Sequence, residues 1–238
     1  MLCELDVIVL SKLKYKESDL IVKCYSKQKG VVNFILKGIL NSKKSKKTGF
    51  FQLLSQLKIN TNVKPGRDLH FVKDVKSNVV YLSLHNNIYK SAIVMFLSEV
   101  LAIVLREEEQ NDTLYQYLET TFQWLDLNTD FANFHLLFLI NLTKHLGFYP
   151  DISNIEFNNF CLREGEFQYV KTSELSVFGE ELELFKQLLG TNFDKVNSIK
   201  VNAKQRYALL TSIVKYYELH LHGFKKPKSL QILSDVFN

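Results

Sequence analysis

The chain has 238 residues, of which 46% are hydrophobic and 23% are charged, so its composition is that of a globular protein with an extensive core. Its longest apolar segments, 92–105 and 134–142, are too short or too interrupted to span a bilayer, and no membrane partner is expected. Three widely spaced cysteines form no disulfide framework and the N-terminus lacks a basic, apolar signal, which together predict a cytoplasmic protein.

The net charge of +5 is distributed unevenly along the chain. Residues 1–80 contain 16 Lys and Arg against 6 Asp and Glu, whereas residues 81–238 contain 14 against 19. A strongly basic half predicts a polyanionic partner such as nucleic acid. The stretch 81–203 is acidic overall and is expected to contact proteins instead.

The first 80 residues carry short runs of alternating apolar and polar side chains, which predict β-strands. The runs cover 7–10, 20–25, 31–37, 56–60 and 68–76, with an SKQKG turn at 26–30 and a KPGR turn at 64–67. Because closure removes exposed strand edges, five short strands favour a small barrel of the OB-like or SH3-like type.

From Ser83 onward the apolar period becomes helical. Helices are predicted at about 88–105, 112–127, 130–146, 177–189, 203–222 and 230–236. The third has almost no polar face and should be central. Between the third and the fourth, Phe160–Leu162 and Phe167–Val170 are expected to pair within a small irregular or β insert at about 155–172. The predicted fold class is therefore α+β, with an OB-like barrel at 1–80 and a mainly helical domain at 81–238.

Recognisable catalytic motifs are absent from the sequence. None of the nine glycines begins a phosphate-binding or dinucleotide-binding loop, and the six histidines form no H-E-x-x-H pattern. We therefore predict no catalytic residue, metal ligand or cofactor, and a protein that is not an enzyme. The acidic run Glu107–Glu109 leaves a metal-dependent nuclease as a weaker alternative to a solvated helix end.

The strongest functional signal is the segment LKGILNSKKSKKTGFFQ at 36–52. This segment contains a cluster of four lysines: Lys43, Lys44, Lys46 and Lys47. Such a cluster of like charge either is merely solvated or binds a polyanion. Further candidates for contact with phosphates lie on the predicted strands and turns: Lys12, Lys14, Lys23, Lys27, Lys29, Lys37 and Arg67. Six aromatic residues of this half are candidates for stacking on bases, although most are expected in the core: Tyr15, Tyr25, Phe34, Phe50, Phe51 and Phe71. Of these, Tyr25 shares a strand face with Lys23 and is the predicted base-stacking residue.

Four features in a fixed order resemble the RecO family of bacterial recombination mediators. They are the opening DVIVLSKLKYKESDLIVKCYSKQKGVVNFILKG, the lysine-rich connection before the fourth strand, HLGFYPDI, and KSLQILSDVF. The resemblance implies an OB-fold followed by a helical domain, binding of single- and double-stranded DNA, strand annealing, and no enzymatic activity. It also implies partnership with RecR and with single-stranded-DNA-binding protein (SSB), help in loading RecA, and a place at the nucleoid.

Some members of that family carry paired C-x-x-C zinc ligands after the segment that matches GFYPDI. Here Asn158 stands three residues before Cys161 and no further cysteine follows, so four ligands cannot be assembled and no zinc is predicted. Candidate receivers for the acidic SSB tail are Lys144, His145, Lys225, Lys226 and Lys228. A general OB-type RNA- or single-strand-binding module without annealing activity remains the rival function.

Overall fold

The computed structural model describes residues 2–40, 46–63, 66–105 and 110–237. These residues divide between two compact units, 1–127 and 128–238, called the first and second unit below. The first unit contains a five-stranded barrel and two helices, and the second contains four helices and a small sheet. This arrangement confirms the predicted α+β fold class.

The barrel closes in the order β1-β2-β3-β5-β4. Its strands are β1 (Leu2–Tyr15), β2 (Asp19–Ser26), β3 (Gly30–Leu36), β4 (Gln56–Asn62) and β5 (Leu69–Ser77). Neighbours are antiparallel except β3 and β5, which pair in parallel only over Asn33–Ile35 and Leu69–Phe71. Closure gives every strand two neighbours, as favoured for so small a unit, and the three-residue contact of β3 with β5 is the shortest of these pairings.

The barrel interior is filled by alternate side chains of the strands. Val7 and Val9 of β1 meet Val22 and Cys24 of β2 and Phe34 of β3, and all five are buried. Phe51, directly after a short 3-10 helix (Lys46–Phe50), joins the same core. The C-terminal end of the lysine-rich connection is thereby anchored in the barrel.

Strand β1 is longer than the predicted run of 7–10. A β-bulge shifts its register against β2 between Val9 and Ser11. Because side chains alternate along a strand, the extra residue reverses which side chains face inward. Lys12 and Lys14 consequently pair with Val22 and Leu20, on the inner side of the β1–β2 hairpin, and yet are exposed.

Two helices of the first unit, α1 (Ile88–Val104) and α2 (Asp112–Leu127), pack against the outside of the barrel. Both were predicted at nearly these bounds. Asn87 caps α1 by accepting hydrogen bonds from the backbone N–H groups of Tyr89 and Lys90. The Gln56 side-chain amide of β4 donates to the carbonyl of Glu119 in α2 at 2.8 Å.

The second unit is built around α3 (Phe134–Leu146), which contacts α4 (Gly179–Leu189) and α5 (Ala203–His220). All side chains from Phe134 to Ile140 are buried, which confirms the prediction of a central helix. The last helix, α6, spans Ser229–Phe237. No helix in the described ranges is long and apolar enough to cross a bilayer.

The small insert of the second unit is a three-stranded sheet in the order β7-β6-β8. The predicted pairing is confirmed between β6 (Asn159–Cys161) and β7 (Glu166–Gln168), and β8 (Ser176–Phe178) adds a strand that was not predicted. Gly165 in the connecting turn has a φ of +74°, and a Cβ there would lie 2.7 Å from the Tyr216 hydroxyl oxygen. The turn therefore requires glycine for both its conformation and its close contact.

Candidate nucleic-acid interface

The outer face of β2 around Lys23 and Tyr25, which the sequence predicts to contact DNA, is in contact with helices of the same unit. The ammonium of Lys23 donates hydrogen bonds to the carbonyls of Ala102 and Leu105 at 2.6 and 2.9 Å. It thereby caps the C-terminal end of α1, where a positive charge complements the helix dipole. Lys23 is committed to the fold and is corrected as a phosphate contact.

Tyr25 is corrected as well. Only 3% of the residue is exposed, and its ring stacks on Tyr115 of α2 with 6.3 Å between centroids. Burial, followed by the charge of Asp112, raises the pKa of Tyr25 to about 12. The ring is a packing element between barrel and helix, so it is not available to a base.

Replacing Lys23 with alanine should therefore weaken the fold and leave the salt dependence of DNA binding unchanged. Loss of two charge-assisted hydrogen bonds is expected to cost about 1–3 kcal/mol of the free energy of unfolding. Urea unfolding measures the first quantity, and the slope of log K against log salt measures the second. A slope lower by about 0.7 would show instead that Lys23 contacts a phosphate of single-stranded DNA.

Acidic residues neutralise the side of the barrel formed by β1 and β4. The Lys58 ammonium lies 2.7 Å from the Asp6 carboxylate and 3.8 Å from that of Glu4, and Lys76 lies 3.2 Å from Glu4. Burial of Asp6 raises its pKa, but hydrogen bonds from Lys58 and Gln28 and the charges of Lys58 and Lys27 lower it overall. Lys27 is thus exposed beside an acid, which makes it a weaker phosphate ligand than the sequence indicates.

The open basic surface lies along the parallel pair of β3 and β5. Lys29 in the β2–β3 turn and Arg67 before β5 line a groove of about 520 Å³ together with Asn33, His70 and one acid, Asp68. Arg67 and His70 also line an adjoining hollow of about 210 Å³ that continues to Phe71 and Lys73. We call this continuous depression the seam groove, with cationic members Lys29, Arg67 and Lys73.

Phe71 lies at the end of the seam groove away from Lys29, and 48% of the residue is exposed. The Lys37 ammonium lies 5.1 Å from the centroid of its ring. Lys73 was not selected from the sequence, and Phe71 was only one of six aromatic candidates, behind Tyr25. Their signal is the alternation in β5, where the buried His70 and the half-buried Val72 interleave with the exposed Phe71 and Lys73.

The tip of the β1–β2 hairpin adjoins the seam groove through the chain that follows β3. The backbone N–H of Gly38 donates to the Asp19 carboxylate at 2.8 Å, and that of Leu40 donates to the Ser18 carbonyl at 2.9 Å. Exposed cations of this region are Lys12, Lys14, Lys16 and Lys37. Of the predicted contacts, Lys29 and Arg67 line the seam groove, Lys37 lies beside Phe71, and Lys12 and Lys14 are exposed on the adjoining hairpin.

The lysine loop can be placed only in part. Lys43 and Lys44 lie outside the described residues, as do Glu107–Glu109, and Lys46 is described only as the first residue of the 3-10 helix. The Lys47 ammonium lies 4.0 Å from the Asp74 carboxylate, and both side chains are more than half exposed. An exposed pair of this kind contributes little to stability, so Lys47 can exchange its partner for a phosphate at small cost.

In the second unit, the predicted tail-binding residues follow or precede aromatic residues in the sequence. Lys144 is exposed with its ammonium 4.5 Å from the ring centroid of Tyr149, and burial together with the charge of Lys144 lowers the pKa of His145. The exposed residues Lys225, Lys226 and Lys228 follow Phe224. The Tyr217 ring contacts Phe148 after α3 and Phe224 after α5, at 5.1 and 5.4 Å. Each set of cations is therefore close in sequence to one of these rings, while Tyr217 and Phe224 themselves are buried.

Among the residues that the structure describes, no three or more His, Cys, Asp and Glu side chains are close enough to hold a metal ion. Cys161 is buried as a free thiol in β6.

Comparisons with known sequences agree with the order of these elements. A family profile described as "Recombination protein O N terminal" matches residues 1–79, and one described as "Recombination protein O C terminal" matches residues 85–231. A DNA repair protein RecO of Christiangramia forsetii is 44% identical over 238 residues, which is 100% of both chains. Proteins of the same name from Flavobacterium johnsoniae and Bacteroides fragilis are 43% and 32% identical, with 97% of each chain covered. Since these matches extend over the barrel and the helices alike, the chain belongs to the RecO family of DNA repair proteins.

Proposed function

We propose that this protein is a recombination mediator that acts in DNA repair at the nucleoid. It binds single- and double-stranded DNA without sequence specificity and anneals complementary strands. With RecR, it helps to load RecA on SSB-coated DNA. The observation that carries the proposal is the row of exposed cations Lys29, Arg67, Lys73 and Lys37 along the seam groove of a RecO-family barrel.

Annealing requires two polyanions to approach each other, and their mutual repulsion is the main barrier. Lysine and arginine side chains lower that barrier because they replace condensed counterions on the phosphates. Contacts to phosphates carry no sequence information, so the binding is general. Strand β3 has seven residues and is about 23 Å long at 3.3 Å per residue, which gives a track of several nucleotides beside the seam.

The test is the rate at which the protein anneals complementary strands that SSB has already coated. We expect annealing faster than the spontaneous rate at low salt, with a steep loss as salt increases. Fluorescence quenching between labels on the two strands measures the rate. A general single-strand-binding module, the rival function, would protect the strands and slow their pairing, and that result would refute the proposal.

A second part of the proposal concerns protein partners. The acidic tail of SSB docks on the second unit at Lys144 and His145 or at the segment 225–228, whose positive charges complement the acids of the tail. Charge reversal at Lys225, Lys226 and Lys228 should weaken binding of an SSB-tail peptide at least tenfold, as measured by fluorescence anisotropy. Charge reversal at three other exposed lysines of the second unit is the control: Lys195, Lys200 and Lys204. Unchanged affinity after reversal at 225–228 and at Lys144 would discard this surface.

We also propose that the protein performs no catalytic step on DNA. Annealing needs only charge neutralisation and positioning, and neither requires a bond to be made or broken. Incubation of labelled single strands and duplexes with magnesium or manganese should leave their lengths unchanged on a denaturing gel. Cleavage that disappears when Glu107–Glu109 are replaced by glutamine would support the nuclease alternative instead.

A further inference from the structure

We propose that Phe71 and Tyr15 are base-stacking residues that let the barrel distinguish single-stranded DNA from duplex. The inference rests on the proposed function, because it assigns the form of DNA that this surface prefers. Contacts to phosphates alone favour the duplex, whose charge density is higher, so a preference for single strands requires contact with the bases.

The backbone pairing places both rings on the same outward face of the barrel. Leu13 pairs with Ile21, Ile21 with Ile35, and Ile35 with Phe71, so these four residues form one row across β1, β2, β3 and β5. Tyr15 pairs with Asp19 in the next row toward the hairpin tip. Three inter-strand spacings of about 4.8 Å put the strands of Tyr15 and Phe71 about 14 Å apart. Ile35 in the middle of this row is only 6% exposed, so a bound strand meets the two rings at the ends of the row, where the surface is open.

Exposure separates these two rings from the other aromatic residues of the barrel. Phe34, Phe51 and Tyr25 are buried, whereas 48% of Phe71 and 40% of Tyr15 are exposed. An isolated exposed aromatic residue is ordinary and carries no argument by itself. The two rings, however, also share a second feature, which is the lysine beside each of them.

An ammonium lies over each ring: Lys37 is 5.1 Å from the centroid of Phe71, and Lys16 is 5.4 Å from that of Tyr15. When a strand binds, its base takes the place of the ammonium on the ring and the lysine moves to the adjacent phosphate. Stacking on an aromatic side chain tolerates any base, because every base has a π face. Bases of an intact duplex are stacked on each other, so they cannot make this exchange.

The experiment compares Phe71→Ala and Tyr15→Ala with wild type on an oligothymidine and on a duplex of the same length. Each substitution should lower affinity for the single strand by roughly 5- to 150-fold and leave affinity for the duplex unchanged. The salt slope should stay unchanged for both forms, because no charge is removed. Phe71→Trp should restore the affinity of the Phe71 variant. Fluorescence anisotropy at several salt concentrations measures all of these quantities.

Leu13→Ala is the matched control, since Leu13 is 66% exposed on the same face and in the same row as Phe71 but has no ring. Its affinity for the oligothymidine should equal that of wild type. Lys37→Ala should lower the salt slope for the single strand by about 0.7 and the slope for the duplex by about 0.9. Equal losses for Phe71→Ala and Leu13→Ala, or equal losses on single strand and duplex, would overturn the inference. If wild type binds neither form, the proposed function itself fails, which is a distinguishable result.

Discussion

Replacement of Asp126 by alanine should destabilise the first unit by about 3–5 kcal/mol, the largest effect on stability that we expect from a single substitution. Asp126 is buried near the C-terminal end of α2. Its carboxylate accepts hydrogen bonds from the backbone N–H groups of Leu82, Ser83 and Leu84 at 2.8–2.9 Å. Alanine leaves these three donors without their acceptor, and one unsatisfied buried donor costs about 1–3 kcal/mol.

Lys90 increases the effect, because it is buried in the same group. Its ammonium donates to the Ser83 hydroxyl at 2.7 Å and to the backbone carbonyl of Asp126 at 2.8 Å. Burial lowers the pKa of Lys90, while the charge of Asp126 raises it. Without that carboxylate, the buried ammonium loses its counter-charge. The segment between the barrel and α1 should therefore loosen together with the end of α2.

Urea unfolding followed by circular dichroism measures the change. Asp112→Ala is the matched control, because Asp112 is an exposed carboxylate at the opposite end of the same helix and its removal should cost at most about 1 kcal/mol. Asp126→Asn should fall between wild type and Asp126→Ala, since its amide oxygen can still accept from Ser83 and Leu84. A loss of less than about 1 kcal/mol for Asp126→Ala would refute the structural role assigned to this carboxylate.

The contribution of Asp126 should also depend on pH. Burial raises the pKa of the carboxyl group, but the hydrogen bonds from Leu82, Ser83 and Leu84 outweigh burial and lower it. A group whose pKa is lower in the folded state stabilises fully above its unfolded pKa of about 3.9, and this stabilisation is lost as the pH falls through the folded pKa. The stability difference between wild type and Asp126→Ala should therefore be constant from about pH 7 to 5 and shrink below about pH 4.

Elements with a clear local period were predictable from the sequence. Helix α2 was predicted at its observed bounds, and the β2–β3 hairpin was predicted because SKQKG supplies a short turn that ends in glycine. The length of β1 was not predicted. All side chains of its segment Val7–Leu10 are buried, since the core covers one face and α1 lies against the strand, so the alternation that marks a half-buried strand is missing there.

The candidate interface was harder to predict because it depends on which barrel face the helices cover. Lys23 has the sequence context of an exposed strand lysine, but its partner Ala102 is 79 residues away. Alternation along β2 shows that Lys23 and Tyr25 share a face, and it gives no indication of what packs there. The exposure of Lys29 and Arg67 was predictable from the sequence because both lie in turns, and turns lie at the surface. Local patterns therefore identify the cations, whereas only the tertiary fold separates those that cap helices from those that remain open.

The largest functional effect should come from removing the four cations of the seam groove and its rim, in the variant Lys29→Ala, Lys37→Ala, Arg67→Ala and Lys73→Ala. If each side chain contacts one phosphate, the slope of log K against log salt for single strands should fall by about 2.8, and affinity near 0.1 M salt should fall roughly 10²- to 10³-fold. All four side chains are exposed, so the unfolding free energy should change by less than about 0.5 kcal/mol for each substitution.

Two further variants show whether position or only total charge matters. Replacing Lys195, Lys200, Lys204 and Lys225 of the second unit removes the same charge from exposed sites and should leave the slope unchanged. Replacing Lys43, Lys44, Lys46 and Lys47 tests the lysine loop, where an unchanged slope would exclude the loop from the interface. Counterion release depends on contacts and not on net charge, so four neutralisations at the seam groove must differ from four in the second unit. If the seam-groove variant and the second-unit variant lose the same affinity for DNA, the protein attracts DNA only through its overall electrostatic field. The seam groove would then not be the binding surface.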